Sequence, residues 1–157
     1  MNFYDKLEFS SRIKSGEKFN CPCCGRWAQV YRRRIHATMA RQIIELYSLG
    51  GGRARQFVHA SLLIPKGETG VGDIGKAAYW GLVEKMNHED PSKKHSGLWR
   101  ITETGIGFAE GTRNVRAIAV VFDNNVIDWD GPDVSIEDCL KDRFNYAELM
   151  GGKDGEN

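Results

Sequence analysis

The chain has 157 residues, of which 41% are hydrophobic and 27% charged, and a formal net charge of +1. This is ordinary globular usage, suited to one domain with extensions or two very small ones, and it excludes wholesale disorder. No apolar run approaches the roughly 18–20 residues that span a bilayer, and Met1–Lys6 lacks the apolar core of a signal peptide, so a cytoplasmic protein without membrane contact is expected.

The elements read in chain order as follows. Phe3, Tyr4, Leu7, Phe9, Ile13 and Phe19 lie among charges, with a weak helical period over Leu7–Ile13. Cys21-Pro22-Cys23-Cys24-Gly25 is a compact turn, and Trp27, Val30 and Tyr31 follow as a short strand or edge. The clearest helix runs from about Arg34 to Leu49. Ile35, Met39, Ile43 and Leu46 share one face, with Arg41, Gln42 and Glu45 on others. Gly50-Gly51-Gly52 stops it. Residues 57–64 fit a strand, or a strand running into a helical turn. Residues 65–72 read as a loop, and Asp73 caps a second helix that ends near Leu82.

Leu82–Met86 and Leu98–Thr102 read as strands flanking a polar loop, with Trp80 and Trp99 packing the hairpin on the helix. A short helix is expected over Thr102–Ala109. Ala117–Phe122 is a strand, Asn124-Asn125 a tight turn, and Val126, Ile127 and Trp129 the return. Ser135 and Asp138 form a capping-box variant opening a last helix, with Ile136, Leu140, Phe144 and Ala147 as its stripe. Gly151–Asn157 is a frayed tail.

From residue 34 the order is helix, short apolar segment, helix, strand, loop, strand, short helix. Ala77-Ala78-Tyr79-Trp80-Gly81-Leu82-Val83-Glu84 resembles the end of a recognition helix entering a wing. Gly97-Leu98-Trp99-Arg100-Ile101-Thr102-Glu103-Thr104-Gly105 resembles the second wing strand and the Leu-Thr-x-x-Gly corner of MarR-like regulators. Residues 34–110 thus resemble a winged helix-turn-helix. With the Cys-Pro-Cys-Cys-Gly turn and the ending Phe144-Asn145-Tyr146-Ala147-Glu148-Leu149-Met150, the whole chain is similar to small proteins encoded by bacteriophages and prophages. Two departures stand out. The helix before the recognition helix has little room, and Asp73–Leu82 carries one basic residue, Lys76, whereas base-reading helices usually present several polar groups.

The +1 conceals a split. Residues 1–122 hold 19 Lys+Arg and 11 Asp+Glu, or +8, and residues 123–157 hold 3 and 10, or −7. Arg26, Arg32, Arg33, Arg34, Arg41, Arg53 and Arg55 stand against Glu45 alone within thirty residues. Such a run either neutralises phosphates or pairs with the C-terminal acids.

Cys21 and Cys24 have the spacing of a zinc knuckle, which supplies two of four ligands; His36 and His59 are candidates for the others. Otherwise the cysteines are reduced packing groups, since disulfides are not expected in a cytoplasmic chain. Gly70-Val71-Gly72-Asp73-Ile74-Gly75 matches a dinucleotide-loop pattern only in letters, for no strand–helix–strand context surrounds it. No catalytic constellation is recognisable.

The expectation is an α+β fold. It has an N-terminal extension over 1–33, a winged-helix core over 34–112, a hairpin plus helix over 113–150 that serves as a dimerisation element, and a tail over 151–157. The first functional reading is a phage-type regulator bound to double-stranded DNA in a bacterial host. Lys76 and Tyr79 would enter the major groove, Lys93, Lys94 and Arg100 would serve the wing, and Arg32, Arg33 and Arg34 would hold phosphates. The alternative is a phage-encoded factor that binds and inhibits a host protein through the acidic face of Asp128, Asp130 and Asp133.

Overall fold

The structure, a computed structural model, describes residues 11–12, 18–22, 24–64, 73–86 and 97–152. The expectations for the N-terminal helical segment, the loop over 65–72, the polar loop with His88, Lys93, Lys94 and His95, and the last tail residues lie outside them. The fold is α+β and divides into two compact units, Met1–Arg34 with Arg116–Gly131 and Ile35–Val115 with Pro132–Asn157. No helix among the described residues is long and apolar enough to cross a membrane.

The first unit holds two small sheets. Strands β1 (Phe19–Asn20) and β2 (Trp27–Ala28) pair antiparallel around the cysteine turn. Phe19 and Ala28 are buried together, with Val30 and Phe122 against them. The second sheet has the order β3-β7-β8, with β3 at Tyr31–Arg34, β7 at Val115–Phe122 and β8 at Asn125–Val134. Arg32, Arg33 and Arg34 are therefore an edge strand, not a lead into the helix. Their backbone pairs with Val120, Ala119 and Ile118. The strand alternates its faces, so Tyr31 and Arg33 share one side and Arg32 and Arg34 the other. The turn between β7 and β8 is Asp123-Asn124, at φ 49° and 64°, one residue earlier than the sequence suggests. Both are residue types that tolerate positive φ in a two-residue hairpin.

The second unit is built around α1 (Ala37–Leu49). Ile35, Met39, Ile43 and Leu46 are buried as expected, but so are Ala40, Ile44, Arg41 and Gln42. The helix is packed on several sides rather than on one. It meets the helices Asp73–Lys76, Glu103–Ala109 and Ile136–Leu140, the strand Leu98–Ile101 and the C-terminal π-helical turn Glu148–Gly152. Sheet order here is β4-β6-β5, all antiparallel, with β4 at Val58–His59, β5 at Val83–Lys85 and β6 at Leu98–Ile101. A 3-10 turn over Ala60–Leu63 follows β4, so the apolar segment is a strand running into a helical turn. Helix α2 (Asp73–Lys76) tightens into a 3-10 turn over Ala77–Trp80 and stops at Gly81, which takes φ 71°. Trp80 is buried, and Trp99 lies 3.5 Å from where a Cβ on Gly75 would stand.

Thr102 caps α3 (Glu103–Ala109): its Oγ1 accepts from the Gly105 amide at 3.0 Å and donates to the Gly81 carbonyl at 2.6 Å. Gly105 lets α3 approach the Leu82 carbonyl so closely that a Cβ would lie 2.1 Å from it. Ser135 and Asp138 form the expected capping box on α4 (Ile136–Leu140). That helix ends early, at Lys141 with φ 53°, so Phe144 is half-buried beyond it and Ala147 is exposed.

Candidate nucleic-acid interface

The basic segment is less available than its composition implies. Arg32 pairs with Asp130 within the first unit through a short contact. Arg53 grips Glu110 bidentately, Nε to Oε2 at 3.2 Å and Nη2 to Oε1 at 2.7 Å. Arg55 donates to the Ile101 carbonyl at 3.1 Å and to Glu84 at 3.2 Å, with Glu103 at 3.8 Å. Arg41 is buried, with its guanidinium 5.6 Å from the Phe144 ring. Four of the seven arginines between 26 and 55 are thus used inside their own unit. Arg26 and Arg34 are exposed. Arg33 is half-buried, with its guanidinium 5.0 Å from the Tyr31 ring and its Nε lacking a hydrogen-bond partner among the described residues.

Arg100 is also committed. It stands opposite Glu84 in the β5–β6 register, contacts that carboxylate closely and lies 4.8 Å over Phe57. Glu84 thus meets both Arg100 and Arg55. Lys76 sits on α2 with Asp73 at 3.7 Å, and 43% of its side chain is exposed. That leaves its ammonium able to turn outward, because a 3.7 Å contact near the surface is a weak pair. Tyr79 is half-buried one helical turn on. Lys93 and Lys94 belong to the segment between β5 and β6, outside the described residues.

Cys21 and Cys24 lie on one turn. The Gly25 amide donates to the Cys21 carbonyl at 2.8 Å, the Cys21 amide to the Arg26 carbonyl at 2.6 Å, and Gly25 takes φ 73°. Two thiols on a turn supply half of a structural zinc site. The two candidate histidines are engaged as caps instead. His36 Nδ1 accepts from the Met39 amide at 3.3 Å at the start of α1. His59 Nδ1 accepts from the Ser61 amide at 3.2 Å and contacts Ser61 Oγ at 2.8 Å. No group of three or more His, Cys, Asp or Glu residues able to hold a metal occurs among the described residues. The described donors do not make a zinc centre. Cys139 is buried, and desolvation pushes its thiol up to about 12.

Of the acids, Asp130 is held by Arg32 and by the Gly131 amide, and both, with Arg32 first, keep its carboxyl below the ordinary value of 3.8. Asp128 accepts from the Trp129 amide at 2.8 Å. Asp133 is exposed.

The sequence gives no warning of Glu110. Its carboxylate takes the Tyr47 hydroxyl at 2.6 Å as well as Arg53, joining the end of α3 to the end of α1 and the 3-10 turn Gly52–Ala54. The Arg53 hydrogen bonds, then that of Tyr47, hold the Glu110 carboxyl below its usual range, and Glu110 in turn raises the Tyr47 hydroxyl. Tyr146, raised mainly by burial, donates to the Ala109 carbonyl at 2.6 Å beside it. Glu84 could have been found from the hairpin register, since it falls opposite Arg100; Glu110 lies where no periodicity points.

No family model, curated protein or solved structure matches this chain.

Proposed function

We propose that the second unit is a winged helix and that the protein is a small DNA-binding regulator of the bacteriophage type. The observation that carries the reading is the strand order β4-β6-β5 with α2 between β4 and β5 and the capped helix α3 directly after β6. In that arrangement a helix followed by a hairpin presents two adjacent projections to a duplex. The first would be α2 with Lys76 and Tyr79. The second would be the β5–β6 connection with Lys93 and Lys94. Arg34, exposed on an edge strand of the first unit, is a separate basic group open to phosphate. A dimer would place two such units on successive half-sites.

The rival, inhibition of a host protein through Asp128, Asp130 and Asp133, ranks second because Asp130 is already held by Arg32. Charge reversal separates the two. Fluorescence anisotropy with a duplex selected from a random pool should show Lys93→Glu/Lys94→Glu weakening binding about tenfold or more at low salt. Lys76→Ala and Tyr79→Ala should reduce preference for the selected site over random duplex. Asp128→Lys and Asp133→Lys should leave binding intact or strengthen it. Duplex affinity indifferent to Lys76, Tyr79, Lys93 and Lys94 would sink the regulator reading.

A further inference from the structure

A cleft of about 400 Å³ opens in the first unit beside the cysteine turn, lined by Arg26, Trp27, Tyr31, Phe122 and Asp123 among others. Its size lies within the range of small-ligand sites. Two of its aromatic walls are unusually open: Trp27 is 61% exposed and Tyr31 44%. Large aromatic side chains left in water on a folded surface commonly mark a contact site. The Trp27 indole N–H donates to Gln29 Oε1 at 3.3 Å, while the ring itself stays open to solvent. Around these rings the charge is positive. Arg26 is an exposed part of the wall, and the Arg33 guanidinium lies 5.0 Å from the Tyr31 ring. The described residues of the unit carry seven Lys+Arg against three Asp+Glu. One acid, Asp123, stands in the cleft lining; a carboxylate there accepts hydrogen bonds and so suits the N–H edge of a base rather than a phosphate.

We propose that this cleft binds single-stranded nucleic acid, with an unpaired base stacked on Trp27 and Tyr31 and the flanking phosphates met by Arg26 and Arg33. Aromatic faces within a basic surface are the physical requirement for such binding, and it is tolerant of sequence because every base has a π-face. A duplex offers no free base face to the cleft, so the site is distinct from the one proposed on the second unit and does not depend on it.

The test is anisotropy of labelled single strands of about 15 nucleotides, within the site sizes such surfaces cover, in DNA and RNA forms, beside the matching duplex. Full-length protein should bind at least one single strand at low salt. Trp27→Ala should weaken that binding about tenfold or more, Tyr31→Ala should weaken it in the same direction, and Trp27→Phe should retain most of it. None should change duplex binding. Both rings are exposed, so the variants are expected to fold, and circular dichroism checks that they do. Failure of wild-type protein to bind either strand type, or equal binding by Trp27→Ala, would overturn the proposal. Loss of duplex binding with single-strand binding retained would count against the winged-helix regulator alone.

Discussion

A methyl group at residue 105 would lie 2.1 Å from the Leu82 carbonyl oxygen and 2.5 Å from Ile101 Cγ1. Backbone on one side and a core side chain on the other leave no room to yield, so Gly105→Ala should cost about 2–3 kcal/mol in urea denaturation. Gly81 is the control. Its Cβ would meet nothing within 4 Å, so only the left-handed φ of 71° opposes Gly81→Ala, at about 1–2 kcal/mol. A loss at Gly105 no larger than at Gly81 would contradict the close approach of α3. Glu110 makes a pH prediction. Its carboxyl is held below 4.5 in the folded chain by Arg53 and then Tyr47, so the folded state binds its proton less readily than the unfolded state. The associated stability is present at neutral pH and is lost as pH falls below about 4.5. Glu110→Gln should therefore be less stable at neutral pH and show a shallower acid limb; an unchanged limb would remove the clamp. The cysteines differ just as sharply. With its thiol near 12, Cys139 is almost wholly protonated at mildly alkaline pH and should resist a thiol reagent until the chain unfolds, whereas exposed Cys24 reacts in the native protein. Native modification of Cys139, read by peptide mass spectrometry, would contradict its burial.

At the scale of elements, two caps hold the second unit's helices. Thr102→Ala removes both the acceptor for the Gly105 amide and the donor to the Gly81 carbonyl, and Ser135→Ala opens the capping box of α4. Each should cost about 1 kcal/mol by chemical denaturation; no loss at either would mean the caps are replaced by water. The Ser135 cap was legible in the sequence, because a hydroxyl followed three residues later by a carboxylate is a local signal; Thr102 was placed only at the start of a short helix, since Gly105 three residues on offers no side-chain partner. The β7–β8 hairpin was legible too, though its turn was displaced by one residue, Asp123-Asn124 in place of Asn124-Asn125. The role of Arg32–Arg34 was not legible. A run of arginines carries little strand propensity, and its place on the sheet edge is fixed by pairing with β7, more than eighty residues away. Helix α1 misled in another way. Its apolar period was genuine, but Arg41 and Gln42 are buried too, because neighbours from distant parts of the chain cover the faces that periodicity assigns to solvent. The wing loop with Lys93 and Lys94 rests on sequence alone.

At the scale of the molecule, the division of charge along the chain is not a division between its units. The acidic strand β8 lies in the same small sheet as the arginine strand β3, and Arg32 meets Asp130 there. Among the described residues the first unit carries seven Lys+Arg against three Asp+Glu, and the second nine against ten. Much of the apparent basic body is internal pairing. Exposed ion pairs of this kind contribute little to stability and weaken with salt. The duplex site proposed on the second unit rests on a small set of groups: Lys76, Lys93 and Lys94. The most direct measurement is therefore titration of a duplex at two salt concentrations. If these three neutralise phosphates, affinity should fall roughly 40-fold between about 50 and 200 mM salt. Affinity unchanged across that range, or no duplex binding at low salt, would contradict the account.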